Sequence, residues 1–252
     1  MEPKAIIQTQ DLTKYYGKQA AVYYLTFSVH EGEIFGFLGP NGAGKTTTLM
    51  MLLGLTEPTA GSADVMGINP TRDAINVKRH IGYLQENMGF YRDLTAFQTL
   101  KFITDLNGIP EDIAKEQIHS AIQTVGLENA QQKLISAYSR GMRQRLGIAE
   151  VLVKSPKIAF LDEPTLGLDP DTTNRIIDLI QWLSQEKKMT ILLSSHLLYQ
   201  VQRICDRVGI MINGKMVACG EMDRLAEEKL GVGKESYTLE ALYMKYFQEG
   251  DV

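Results

Sequence analysis

Cysteine is scarce in this chain. Cys205 and Cys219 stand in no CxxC or metal-type spacing. That argues against a disulfide framework and reads as two small apolar side chains in a reducing compartment. Long apolar runs are missing too: no segment approaches the ~18 residues needed to span a bilayer. The opening MEPKAIIQTQDLTKYY has no uninterrupted apolar stretch of the secretory kind. Charge of one sign is not in excess. A formal net charge of -4 gives no reason to expect nucleic acid, which calls for a basic face. There is no internal repeat and no low-complexity tract. What is present is an ordinary globular composition, 44% hydrophobic and 22% charged, in a chain long enough for one large α/β domain with or without an inserted lobe. Any service to a membrane is expected from the aqueous side, through a partner.

The pattern begins with strands, KAIIQTQDL and AVYYLTFSVHEGE, with Gly32 at a turn. EIFGFL (33–38) is a short apolar strand that stops at a glycine cluster, and helix-compatible KTTTLMMLLGL follows. RHIGYLQ (79–85) reads as another strand. From about 86 to 137 the texture becomes helical. ENMGFYRDLTAFQTLKFITDLNGI and PEDIAKEQIHSAIQTVGL carry apolar residues near i, i+3 and i+4, with Asp93 or Thr95 to cap the first and Pro110 to start the second. α/β texture then returns. KIAFLDEP (157–164) and MTILLSSH (189–196) are buried strands, with the helix TTNRIIDLIQWLSQEKK between them and LLYQVQRICD after them. VGIMINGKMVACG is a hairpin turning at Asn213-Gly214, and two helical segments close the chain. Buried strands alternating with helices imply a mainly parallel sheet covered on both faces.

Four segments carry chemistry. GPNGAGKT (39–46) fits G-x-x-x-x-G-K-[ST] between a strand and a helix. Gly39, Gly42 and Gly44 let backbone N–H groups curl around phosphates, Lys45 brings a charge to the terminal phosphates, and the Thr46 hydroxyl suits Mg²⁺. The following helix points its positive end at the anion. IAFLDEP (158–164) delivers two acids at the carboxyl end of a strand, where ligands bind in open α/β sheets. Asp162 suits Mg²⁺ through water, and Glu163 suits polarising an attacking water. Acids after a strand are equally at home in a solvated turn; beside a phosphate loop they read as machinery. SRGMRQRLGIAEVLV (139–153) offers Ser139 as an N-cap and the Gly141 N–H beside it, a second anion site at a helix start. Two phosphate sites for one γ-phosphate suggest two halves meeting across a dimer. LLSSH places His196 at the end of a buried strand, facing either the core or that phosphate.

In this order, over about residues 4 to 220, the motifs resemble the ATP-binding cassette family of transporter ATPases. The resemblance implies ATP and Mg²⁺ as ligands. It makes Gly39, Pro40, Asn41, Gly42, Ala43, Gly44, Lys45, Thr46 and Thr47 the Walker A loop, and Asp162 and Glu163 the Walker B acid and catalytic glutamate. Gln85 resembles the Q-loop glutamine, a Mg²⁺ ligand beside Thr46 and Asp162. Asp169 in TLGLDP falls in the D-loop, and His196 resembles the switch histidine. Tyr16, with Tyr15 as its neighbour, resembles the aromatic that stacks on adenine. The signature departs from LSGGQ: Tyr138, Ser139, Arg140, Gly141, Met142 keep the serine and second glycine. A left-handed backbone at Arg140 would be costly, so ordinary dihedrals are expected there. Similar YSxGM signatures, and the closing TLEALYMKYF, resemble members that serve export-type permeases.

These readings set the expectations. The fold is a P-loop NTPase α/β core with a mainly parallel sheet, an N-terminal antiparallel β portion and a helical subdomain inserted at about 86–152. Residues 1–236 form the ATPase domain, and 237–252 a C-terminal helical extension. The resemblance implies ATP hydrolysis powering export through a separate integral membrane permease. The chain would work as a homodimer, or a heterodimer with another such subunit, at the inner face of the cell membrane. A soluble ATPase of the same family, of the cluster-assembly type, is the alternative; a small-molecule kinase would not need the Ser139 segment.

Overall fold

A computed structural model describes residues 4–233 and 237–250. The junction expected at 236/237 and the last residues of the expected extension fall partly outside that range. Two long strands, β1 (Ala5–Tyr16) and β2 (Gln19–His30), pair antiparallel around a turn at Gly17, and β4 (Ala60–Val65) joins the other edge of β1. The second sheet runs β5-β6-β7-β3-β8-β9, with β5 Ile81–Leu84, β6 Ile158–Asp162, β7 Thr190–Ser195, β3 Ile34–Leu38, β8 Arg207–Ile212 and β9 Lys215–Glu221. All neighbours are parallel except β9, which returns antiparallel through Asn213 and Gly214, both at positive φ (50° and 80°). That is the geometry an Asn-Gly hairpin turn requires. The mixed architecture expected from sequence is therefore present.

Period-two alternation explains why the second sheet is covered on both faces. On β3, Phe35 and Phe37 point into one apolar cluster with the antiparallel sheet, while Ile34 and Leu38 point into another with the helices. β6 does the same, Ile158 and Phe160 on one side and Ala159 and Leu161 on the other. Phe27, Phe35 and Phe37 lock the two sheets together with ring centroids 5.0–5.6 Å apart; each such pair adds about 1 kcal/mol beyond its burial.

Helix α1 (Lys45–Leu52) follows β3, and α2 (Ala74–His80) precedes β5. α3 (Ala96–Leu106), α4 (Glu111–Thr124) and α5 (Arg140–Leu152) pack on one another as a helical lobe. α6 (Pro170–Lys187) and α7 (Leu198–Ile204) flank the sheet, and α8 (Met222–Leu230) and α9 (Leu239–Gly250) close the described chain. α9 buries Leu239 and Leu242 fully and packs on α7 and α8. α7 lies hard against β3 because residue 36 is glycine: a Cβ there would sit 2.8 Å from Val201 and 2.9 Å from Cys205.

Three local expectations are corrected. Arg79 and His80 end α2 rather than begin a strand, since Asp73 caps that helix through Asn76 N. Residues 86–94 are not helical. The helix starts after Thr95, whose hydroxyl and Gln98 form a reciprocal capping box, so Thr95 and not Asp93 is the cap. β4 was not expected at all. Among the described residues, no helix is long and apolar enough to cross a membrane.

Candidate active site

The carboxyl ends of β3, β7 and β6 lie side by side, and each releases a chemically active segment. After β3 the loop 39–44 curls tightly because two of its glycines have no room for a side chain. A Cβ on Gly39 would sit 2.3 Å from the Met211 carbonyl oxygen, and one on Gly44, at φ 103°, 2.4 Å from that of Ala21. Lys45 turns back into the loop and donates to the carbonyls of Gly39 (2.7 Å) and Pro40 (3.2 Å). Burial pulls its amine below the usual lysine value, and the nearby Glu163, Asp162 and Glu86 carboxylates oppose that. No side chain caps the start of α1 and its first turn holds no acid. Its leading N–H groups thus present a positive end free to meet an anion.

Asp162, 2% exposed at the last position of β6, accepts from the Thr46 hydroxyl at 2.8 Å and from the Ser194 hydroxyl of β7. A buried carboxylate beside a hydroxyl is a hard-oxygen donor set of the kind Mg²⁺ takes. Glu163 follows at φ 49°. A non-glycine residue held there costs about 1–3 kcal/mol and persists only where its surroundings over-determine it. Its N–H is held by the Ser194 carbonyl (3.1 Å) and hydroxyl (3.2 Å), and its Oε2 lies 2.9 Å from His196 Nδ1. Its other oxygen, Oε1, is buried without a hydrogen-bond partner. A carboxylate with one oxygen fastened and one free and shielded is suited to taking a proton from a water.

These groups border a cavity of about 370 Å³ lined by Tyr16, Gln19, Ala21, Asn41 to Thr47, Glu86, Asp162 and Glu163. A cavity of about 990 Å³ near His30 and Arg207 lies away from this chemistry. Tyr16 is the tyrosine of its pair that reaches the cavity, half-exposed with the Lys14 amine 5.2 Å over its ring; Tyr15 instead packs edge-on against Tyr23. Glycine loop, buried lysine, uncapped helix start, hydroxyl–carboxylate pair and flat aromatic together fit a magnesium nucleotide.

Other expected site residues stand apart from the cavity lining. Gln85 is exposed just past β5, and its neighbour Glu86 takes the place at the rim. Ser139 is exposed and caps α5 by accepting from Met142 N at 3.2 Å. Gly141 fits tightly against α6: a Cβ would meet Thr172 at 2.8 Å. Arg140 has the ordinary helical backbone expected of it, and its guanidinium donates to the Leu166 carbonyl at 2.7 Å, lying over Gly167. Asp169 caps α6 by accepting from Thr172 N at 2.9 Å. Hydrogen bonding from Thr172 holds its carboxyl below the usual range. Ser194, Glu86 and Gln19 were not anticipated. The only signal for Ser194 was a pair of hydroxyls ending an otherwise apolar strand.

Comparison with known proteins agrees with this geometry. The pattern of the family described as "ABC transporter" matches residues 23–166. The bacitracin transport ATP-binding protein BcrA of Bacillus licheniformis is 44% identical over 212 residues, 84% of this chain and 68% of that protein. The linearmycin resistance ATP-binding protein LnrL of Bacillus subtilis is 35% identical over 215 residues, 85% of this chain and 69% of that one. Among solved structures, an ATP-binding subunit of an ABC transporter superposes with a TM-score of 0.86 at 28% identity, covering 96% of this chain and 99% of that one.

Proposed function

The chain belongs to the ATP-binding cassette transporter family, and on that premise we propose that it hydrolyses ATP to drive export through a separate integral membrane permease. ATP binding and hydrolysis are the activity of the family. The export direction, the permease and the residue roles are our reading. Support for the catalytic part comes from one observation above all: Lys45, the adjacent acids Asp162 and Glu163, and His196, from three segments far apart in sequence, converge on one cavity or its immediate edge. Support for the export part comes from relatives named for bacitracin transport and linearmycin resistance.

In this reading the N–H groups of 39–47 and the Lys45 amine bind the phosphates, and Tyr16 stacks on the base. Thr46 and Asp162, with Gln85 as a further ligand, would hold Mg²⁺, whose charge neutralises the phosphoryl oxygens. Glu163 orients and deprotonates the attacking water through Oε1 while His196 holds Oε2. Ser139 and Gly141, outside the cavity lining of their own chain, close the site of a second copy or of a related subunit, head to tail. Residues 1–236 form the ATPase unit, with the helical lobe at about 86–152, and 237–252 are an extension. The pair sits on the cytoplasmic face of the membrane by holding the permease.

Purification of the full chain from detergent-solubilised membranes tests the transport part. A polytopic membrane protein in stoichiometric amount is the expected partner. A soluble partner alone would replace the proposal with a cytosolic ATPase of the same family.

A further inference from the structure

Beyond the last ladder pair, Asp162 with Ser194, strands β6 and β7 diverge, one into the turn that carries Glu163 and the other through His196 into α7. A second link joins the two segments past that point. The Thr165 hydroxyl donates to Gln200 Oε1 at 2.5 Å, and both residues are only 3% exposed. Gln200 uses its amide hydrogens as well, donating to the Tyr199 hydroxyl at 3.0 Å. We propose that Thr165 and Gln200 are positioning residues for hydrolysis: their bond fixes the distance between the Glu163 turn and the His196 segment. This rests on the roles given to Glu163 and His196 above.

Three features make the bond more than filler. Glu163 stands at φ 49° and needs external support to stay there. Thr165 is two residues on, in a turn where Leu166 N donates to the Glu163 carbonyl and Leu168 N to that of Thr165. The His196 side chain is 41% exposed, so packing alone does little to aim it. Its direction comes from α7, seated on β3 through Gly36 on one side and tied to Thr165 by Gln200 on the other. Finally, a well-packed apolar pair would serve stability as well as a buried polar one. What the hydrogen bond adds is a definite distance, and a displacement of about 1 Å at a reacting group costs up to ~100-fold in rate.

The test compares Gln200→Leu, Thr165→Val, the double variant and Thr165→Ser in the full chain, with Glu163→Gln alongside. Steady-state kcat and KM for MgATP, equilibrium binding of a fluorescent ATP analogue, and thermal unfolding are measured. Each single apolar variant should lose roughly 10-fold in kcat with KM and analogue binding little changed. The double variant leaves no orphaned polar partner, so its unfolding midpoint should recover relative to the singles while kcat stays low. Thr165→Ser keeps the donor and should restore turnover. A double variant that recovers kcat together with stability, or single variants that lose stability but not kcat, would overturn the proposal. An inactive Glu163→Gln beside a normal Gln200→Leu overturns the positioning role alone. A Glu163→Gln variant that hydrolyses normally removes the catalytic reading and this inference with it.

Discussion

The ends of β3, β6 and β7 and the amino end of α5 are the two places proposed to meet phosphate, and they are built on opposite plans. The first region is buried and braced from within, with one oxygen, Glu163 Oε1, left unpaired. Lys45, Asp162 and Glu163 are all under a tenth exposed, and hydroxyls and carbonyls of the same chain hold them. The second region is open. Ser139 is exposed with its oxygen engaged only in capping, and Arg140 reaches sideways to the Leu166 carbonyl instead of forward. In the proposed reading, hydrolytic chemistry is assembled within one chain and the surface that closes over it comes from another.

Glu163→Gln breaks the first region at its reacting atom. The change is nearly isosteric, so the sheet should survive, and turnover should fall by about 10²- to 10⁴-fold. ATP would still hold two chains together, so gel filtration with MgATP should show a dimer that ADP does not support. An inactive variant that stays monomeric would point to a different cassette or the permease as the missing half. Lys45→Ala attacks the same region through its cation. Removing a buried charge that three carboxylates lean on should weaken nucleotide binding by roughly 100-fold or more, read by titration with a fluorescent nucleotide.

Ser139→Ala moves to the second region. Turnover at saturating ATP should drop by about 10-fold, while nucleotide binding to the monomer stays as it was. Loss of the cap should cost about 1 kcal/mol of stability. Equal damage from Ser139→Ala and Lys45→Ala to monomer binding would erase the distinction between the regions.

Glu150→Gln has the smallest functional effect expected, because it lies in α5 well away from Ser139. Burial pushes the Glu150 carboxyl up to about 7. The folded chain therefore holds that proton more tightly than the unfolded one does. This contribution to stability is full below the unfolded value of about 4.3 and is lost as pH rises toward 7. The glutamine variant should accordingly be more stable by about 2 kcal/mol at pH 8, with most of the gain gone at pH 5, in urea unfolding. Unchanged ATPase activity in that variant would separate the stiffness of α5 from the use of its amino end.

How much of this was readable in advance depended on how local each signal is. The phosphate loop, the LDEP acids and the Asn213-Gly214 hairpin each carry their instructions within a few residues of the strand they end, and they fold as read. Residues 86–94 misled because Met88, Tyr91 and Leu94 stand three apart, as on one face of a helix. Met88 is partly buried for another reason: Gly147 in α5 opens a slot that it fills, its sulfur 2.0 Å from where a Cβ would stand. β4 escaped notice because AGSADV is small and polar, an edge strand bonded on one side to β1. Arg79 and His80 looked like the start of a strand because α2 runs into β5 without a break. The pairing of Thr165 with Gln200 has no local signature at all: two common polar residues 35 positions apart meet only after the sheet has formed.

The order of strands in the sheet has a consequence for synthesis. β3 and β7 are neighbours, but the chain makes Thr46 about 150 residues before His196, and translation runs at about 5–20 residues per second. For roughly 8 to 30 seconds the nascent phosphate loop lacks its histidine, and for about the first 6 to 23 of them it lacks its acids as well. A ribosome-bound chain stalled before residue 162 carries a glycine loop and a lysine but neither of the acids proposed to act in hydrolysis. On the proposed roles, ATP is not spent by this protein until most of it exists.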